Sequence, residues 1–344
     1  LSRIPAVMEM PYNDIVRKFI DMYAGRLRNQ VSFMLSACNF YMPIFEEALD
    51  AYGLPLELKY LPIIESALNP SAVSRAGASG LWQFMIGTGK IYGLESNSLV
   101  DERRDPIKAT WAAARYLKEM YDIYGDWNLV IAAYNCGPGT INKAIRRAGG
   151  ETDYWKIYNY LPKETRGYVP AFIAANYVMT YYCDHNICPM ETNIPASTDT
   201  VQVNKNLHFE QIADLCNVPL DQIKSLNPQY KKHMIPGDSK PYTLRLPIDA
   251  ISTFIDKQDT IYAHRADELF RNRKTVAVKE ITPSTRKTTA AVAGKGKLTY
   301  YTIKSGDTLS TIAGKYGVTI KDIQRWNGMS NTKIAAGKRL KIYK

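Results

Sequence analysis

The chain has 344 residues, 46% of them hydrophobic and 22% charged, and its 44 Lys and Arg outnumber 33 Asp and Glu for a net charge of +11. That is room for two or three domains with ordinary buried cores, and it excludes a disordered or fibrous chain. No run approaches the roughly 18 apolar residues of a membrane-spanning helix, no secretory leader is visible at Leu1, and the five cysteines show no zinc-ligand spacing, so no metal is expected.

Residues 1 to about 190 place apolar side chains at helical spacing, as in Ala109-Thr110-Trp111-Ala112-Ala113-Ala114-Arg115-Tyr116-Leu117. Breakers at Pro43, Gly53-Leu54-Pro55, Asn69-Pro70, Gly125-Asp126, Gly137-Pro138-Gly139 and Gly149-Gly150 divide this stretch into separate helices. The region therefore reads as all-α, with 1–40 as an N-terminal helical extension and 41–190 as the main body. One connection, residues 70–89, is long and rich in Gly and Ser, and such loops in compact domains are often functional.

Just before that loop, Glu65 ends the apolar run Leu61-Pro62-Ile63-Ile64. An acid on an apolar helix face should keep its proton near neutral pH, because desolvation penalises the ionised form, and that is the range in which a general acid works. An arbitrary helix-end glutamate would instead sit in a salt bridge. The Gly80-Leu81-Trp82-Gln83-Phe84-Met85 run that follows favours the functional reading. Further on, Cys183 and Cys188 flank a short Asp-His-Asn-Ile segment and suit either a small disulfide or two free thiols.

From about residue 200 the chain turns to short β-like runs, at 200–203, 242–246, 298–303 and 339–343, bracketing pairs of short helical patterns. A shift of one hundred residues superposes Val203 on Ile303, Phe209 on Leu309, Ile212-Ala213 on Ile312-Ala313, Val218 on Val318, Ile223 on Ile323 and Asn227 on Asn327. The matched positions are mainly apolar ones, so two copies of one β-α-α-β core are expected, at 199–250 and 298–344. Between them, 251–297 reads as a helix followed by a flexible linker rich in Thr, Ala, Lys and Arg. The last fifty residues hold eleven Lys or Arg against Asp307 and Asp322, a basic end suited to polyanions or simply to solvation.

Five motifs in order carry a family resemblance. They are Glu65-Ser66 with Asn69-Pro70 and Ala72-Val73-Ser74; Gly77-Ala78-Ser79-Gly80-Leu81-Trp82-Gln83-Phe84-Met85; Asp101-Glu102-Arg103-Arg104-Asp105-Pro106; Ala132-Ala133-Tyr134-Asn135-Cys136-Gly137; and Leu161-Pro162-Lys163-Glu164-Thr165-Arg166-Gly167-Tyr168-Val169-Pro170. Over residues 45 to 180 the chain resembles lytic transglycosylases of the soluble-lytic-transglycosylase and goose-lysozyme-like family, in its membrane-bound transglycosylase D branch. The two repeats resemble LysM modules, small βααβ units that bind N-acetylglucosamine polymers.

The resemblance implies a mainly α, lysozyme-like catalytic domain followed by α+β modules. It implies cleavage of the β-1,4 bond between N-acetylmuramic acid and N-acetylglucosamine, with Glu65 as single acid and then base and a 1,6-anhydro sugar as product. One carboxyl can suffice where ordinary glycosidases pair two, because the muramoyl 6-hydroxyl replaces water at high effective molarity. Ser66 and Ser74 would place hydroxyls near the acid, with Ser79 standing in for a second serine of some relatives that is Ala76 here. Gln83 would bind sugar N-acetyl or hydroxyl groups. Trp82 and Met85 would form a flat apolar face for sugar stacking, or else pack beneath the loop.

Tyr134 would point at Glu65, Asn135 would support the cleft, and Tyr168 would line it. Asp101, Asp105 and Asp126 read as turn and helix-start residues. In the second repeat Gly306, Asp307, Thr308 and Asn327 would frame a glycan groove. The first repeat has Asn206-Leu207-His208 at that loop and reads as a spacer packed on the catalytic domain.

The resemblance also implies a monomer in the periplasm or cell envelope that acts on peptidoglycan, tethered by any lipid anchor from outside this chain, with no cofactor. A hydrolytic muramidase or chitinase on the same fold and a catalytically silent peptidoglycan binder are the alternatives. Nucleic acid is not an expected partner, since no basic-aromatic platform or recognition helix is present.

Overall fold

The computed structural model describes residues 1, 4, 6–192, 194–195, 197–270, 298–304, 307–327, 329, 334 and 337–343. The expected linker at 271–297 and Gly306 lie outside the described residues. Two compact units result, Leu1–Thr282 and Pro283–Lys344.

The first unit begins with helices α1 (Asp14–Ala24), α2 (Arg28–Ala51), α3 (Leu61–Ser66), α4 (Ile86–Ile91), α5 (Pro106–Tyr124), α6 (Trp127–Cys136), α7 (Pro138–Arg147), α8 (Tyr154–Ile157) and α9 (Lys163–Thr180). Short polar residues set several of the starts. Asn13, Asp105, Asp126 and Asp153 each accept backbone N–H bonds from the first turns of α1, α5, α6 and α8, satisfying donors that have no partner within the helix. Pro106 and Pro138 occupy first-turn positions, where a missing N–H costs nothing.

Helix α1 lies on α9, α2 on α5, and α6 on both α5 and α9. Their shared core includes Phe45, Leu58, Leu61, Leu81, Trp82, Leu117, Ile131 and Phe172. The N-terminal helical residues pack onto the main body: α2 runs unbroken through residue 40, and Val16, Ile20, Val31 and Met34 belong to the same core. Glu57 straps the start of the chain down by accepting from the backbone N–H groups of Val7 and Met8.

The first β-containing module consists of β1 (Thr198–Val203), β2 (Asn206–His208), α10 (Phe209–Cys216), α11 (Leu220–Leu226), β3 (Met234–Pro236) and β4 (Tyr242–Pro247), followed by α12 (Ile248–Asp256), α13 (Gln258–Ala263) and α14 (Ala266–Leu269). Strand β1 pairs antiparallel with β4, Val203 opposite Tyr242, and β2 pairs with β3, Leu207 opposite Ile235. The module extends past residue 250, because Phe254 of α12 and Ile261 of α13 are buried in its core. Leu99 and Val100 from the helical body share that core, so the two parts pack together.

The second unit contains β5 (Leu298–Thr302), α15 (Leu309–Tyr316), α16 (Ile320–Asn327) and β6 (Arg339–Tyr343), with Tyr301 opposite Leu340 in an antiparallel pair. Ile303, Leu309, Ile312, Ala313 and Ile323 form its core, the positions matched by Val203, Phe209, Ile212, Ala213 and Ile223. Cys183 and Cys188 are both exposed free thiols.

Candidate active site

Glu65 lies in the last turn of α3, whose apolar residues Leu61 and Ile63 are sunk in the core. The chain then leaves the helix through two successive left-handed residues, Ala67 (φ 51°) and Leu68 (φ 59°). For residues with a Cβ this conformation costs about 1–2 kcal/mol each, and such strain persists only where the surroundings enforce it. Leu68, 1% exposed, is held by its burial. Ser66 ties the turn to the following loop: its Oγ lies 3.0 Å from the carbonyl oxygens of both Pro62 and Leu81.

The carboxyl opens into a cavity of about 410 Å³ lined by Tyr23, Gln30 and Met34 from α1 and α2 and by Ser66, Ser74 and Gln83 from the other side. Burial pushes its pKa up to about 7; the negative charge of Glu164 works the same way, and a hydrogen bond from Tyr168 opposes both. A carboxyl poised there both gives and accepts a proton near neutrality, the property a general acid and base needs. The Tyr168 hydroxyl donates to Glu65 Oε1, so a residue 103 positions downstream in sequence orients the acid.

The loop after α3 is a compact, internally bonded structure. Ala78 N–H donates to Ser74 Oγ at 3.0 Å, and Ser79 N–H to the Phe84 carbonyl at 3.1 Å. Gln83, itself left-handed at φ 48°, donates through Nε2 to the carbonyls of Gly80 (2.8 Å) and Ala72 (3.2 Å). Gly80 is required at its position: with φ 91°, a Cβ there would sit 1.7 Å from the Arg103 carbonyl oxygen.

Several expectations need correction. Trp82 is not a stacking face. Its ring is fully buried, packed edge-on against Phe45, with the indole N–H donating to Thr110 Oγ1 at 2.9 Å, so the packing alternative is the correct one. Met85 is 45% exposed but does not line the Glu65 cavity. Ser79 cannot face substrate, because it is buried and accepts from Arg104 Nε at 3.0 Å.

Tyr134 does not bond the acid. Its hydroxyl donates to the Trp82 carbonyl at 2.7 Å, although burial and then the charge of Glu65 raise its pKa. Asn135 accepts from Thr165 Oγ1 at 2.9 Å and thereby links α6 to α9. The cavity residues Tyr23, Gln30 and Met34 carry no motif and were missed in the sequence; the only signal was the amphipathic pattern of the first two helices.

Among the described residues Glu65 is the only acid lining the cavity, and the aspartates of the sequence motifs are engaged elsewhere. Asp101 is clamped by Arg103, and Asp105 and Asp126 cap helices. Among the described residues no group of His, Cys, Asp and Glu is arranged to hold a metal ion, and no helix is long and apolar enough to cross a membrane.

In the second unit, Asp307 accepts from the Tyr301 hydroxyl and the Lys304 N–H, both at 2.8 Å, and Thr308 caps α15 in a reciprocal box with Thr311. Asn327 is not free for a glycan. Nδ2 donates to the carbonyls of Ile323 and Lys341, each at 2.8 Å, and Oδ1 accepts from Lys341 N–H at 2.7 Å. Asn227 makes the same three bonds to Ile223 and Arg245 in the first module.

Comparison with known proteins matches residues 42–157 to the Transglycosylase SLT domain, 197–263 to the LysM-like domain of lytic transglycosylase MltD, and 301–342 to the LysM domain. Membrane-bound lytic murein transglycosylase D of Escherichia coli K12 is 31% identical over 339 residues, 97% of this chain and 70% of that protein. The soluble lytic murein transglycosylase of the same organism is 33% identical over 124 residues, 34% of this chain and 19% of that one. The crystal structure of the 70 kDa soluble lytic transglycosylase of E. coli aligns with a TM-score of 0.37 at 29% identity, covering 42% of this chain and 24% of that one.

Proposed function

Because the chain belongs to the membrane-bound lytic murein transglycosylase D family and is a lytic murein transglycosylase, we propose that Glu65 is its single acid and base and that its products end in 1,6-anhydro-N-acetylmuramic acid. The observation that carries this reading is one part-buried carboxyl with a pKa of about 7 that is the only acid among the described residues lining its cavity. In the first half-reaction Glu65 gives its proton to the glycosidic oxygen as the bond to C1 breaks. Glu65, now ionised, then takes the proton of the muramoyl 6-hydroxyl while that oxygen closes on C1. The carboxyl is returned to its starting state without water.

Tyr168 steadies the ionised form between the two steps, since its hydroxyl donates to the carboxylate. Ser74 and Gln83 face the same cavity, and the Gln83 Nε2 is engaged by backbone carbonyls, so its Oε1 is the atom turned to substrate N–H or hydroxyl groups. Peptidoglycan is the substrate, and the LysM unit at 301–342 binds it. We place the enzyme in the cell envelope, where that polymer lies. Digestion of purified sacculi tests the reading: the wild-type chain should release anhydromuropeptides and Glu65→Gln should release none. Reducing-end products lacking the anhydro bridge would instead identify a hydrolase.

A further inference from the structure

We propose that the LysM-like module at 197–263 is the buttress of the catalytic loop, with Lys231 and Asp101 as positioning residues; the proposal rests on the loop at 72–84 forming the substrate side of the Glu65 cavity. The module meets the helical body along two short extended segments. Asp101 N–H donates to the Gln229 carbonyl at 2.9 Å, Lys231 N–H donates to the Leu99 carbonyl at 2.8 Å, and Val100 pairs antiparallel with Tyr230 between them. Lys231 Nζ donates to the Asn97 carbonyl at 2.8 Å and lies 3.7 Å from Asp101 Oδ2.

Asp101 in turn grips Arg103 with both oxygens, Nε to Oδ1 at 2.9 Å and Nη2 to Oδ2 at 2.8 Å. Although burial works to raise the Asp101 pKa, these bonds and the Lys231 charge hold it below the usual carboxylate range. A bidentate pair fixes the plane of the guanidinium as well as its position. The remaining Arg103 nitrogen, Nη1, donates to the carbonyls of Gly77 at 2.8 Å and Phe84 at 2.9 Å. Gly77 lies within the Ser74–Ala78 turn, and Phe84 follows Gln83 directly. The chain from Lys231 through Asp101 and Arg103 thus ends on the backbone near Ser74 and Gln83, two of the loop residues that line the cavity.

The Arg103 and Asp101 side chains are only 6% and 2% exposed, so this linkage is poorly screened by water. The acid itself is held by α3 and Tyr168, and its one tie to the loop, Ser66 to the Leu81 carbonyl, lies away from the two carbonyls that Arg103 grips. Loosening the buttress should therefore impair substrate binding more than the chemical step.

Lys231→Met in the full chain tests this by two readouts. Peptide-resolved amide hydrogen exchange should speed up in residues 74–84 while α1 and α2 stay as in the wild type. On a soluble oligomer of alternating N-acetylglucosamine and N-acetylmuramic acid, KM should rise about fivefold with kcat within about twofold, and Lys231→Arg should restore both. Unchanged exchange at 74–84, or faster exchange spread equally over α1 and α2, would overturn the proposal. A wild-type chain that failed to cleave the oligomer would count against the assigned reaction alone, since the exchange result does not depend on turnover.

Discussion

Replacing Glu65 with Gln should make the protein more stable relative to wild type as pH rises. In the fold the carboxyl titrates at about 7, and in the unfolded chain a glutamate titrates at about 4.3. Below about pH 4.3 both states are protonated and the group adds no pH dependence. Between that value and pH 7 the unfolded chain has released a proton that the folded protein retains, so wild-type stability falls. Above pH 7 the loss is complete, and the separation of the two pKa values corresponds to about 3–4 kcal/mol.

Gln does not titrate and keeps an amide oxygen to accept from Tyr168, so Glu65→Gln escapes this loss. Urea unfolding of both proteins at intervals from pH 4 to 8.5, followed by tryptophan fluorescence, should show the variant gaining about 3–4 kcal/mol over wild type across the range. A difference that stayed constant within about 0.5 kcal/mol would refute the claim that burial holds this proton.

Tyr168→Phe removes the hydrogen bond that lowers the Glu65 pKa. The alkaline limb of the pH–activity profile should move up by about one unit, and kcat should fall about tenfold, in keeping with the value of a bond to an ionised partner. Trp82→Ala should cost about 3–5 kcal/mol of stability as a core truncation, whereas Met85→Ala should leave the melting temperature almost unchanged. Thermal melts of the two variants check both. Asn327→Ala should destabilise the second unit by about 1–3 kcal/mol by leaving backbone groups unpaired, measured as earlier unfolding of that unit by hydrogen exchange.

The helical body, the repeated βααβ cores and Glu65 were legible because each leaves a local mark: helical periodicity, apolar positions repeated at a shift of one hundred, and a carboxyl closing an apolar run. What escaped was the direction in which side chains point after packing. Tyr134 and Tyr168 sit in equally persuasive motifs, and only the crossing of α6, α9 and α3 decides that Tyr168 reaches Glu65 while Tyr134 reaches the Trp82 carbonyl.

Trp82 lies in a glycine-rich run that suggested exposure, yet the loop folds inward there and exposes Met85 instead. The structural role of Asn327 could have been suspected. Asn227 occupies the matching position in a module whose loop has lost the Gly-Asp-Thr sequence, so the asparagine persists without the groove it was expected to frame. Tyr23, Gln30 and Met34 had no such mark, because a cavity-facing residue on an amphipathic helix has the same spacing as a core residue.

Mass spectrometry of the fragments released from purified sacculi tests the single-carboxyl mechanism most directly. Wild-type fragments should be lighter than hydrolysed ones by one water, consistent with closure of the 6-hydroxyl on C1, and Glu65→Gln should release none. Fragments at the hydrolysed mass, or anhydro fragments persisting in Glu65→Gln, would contradict it.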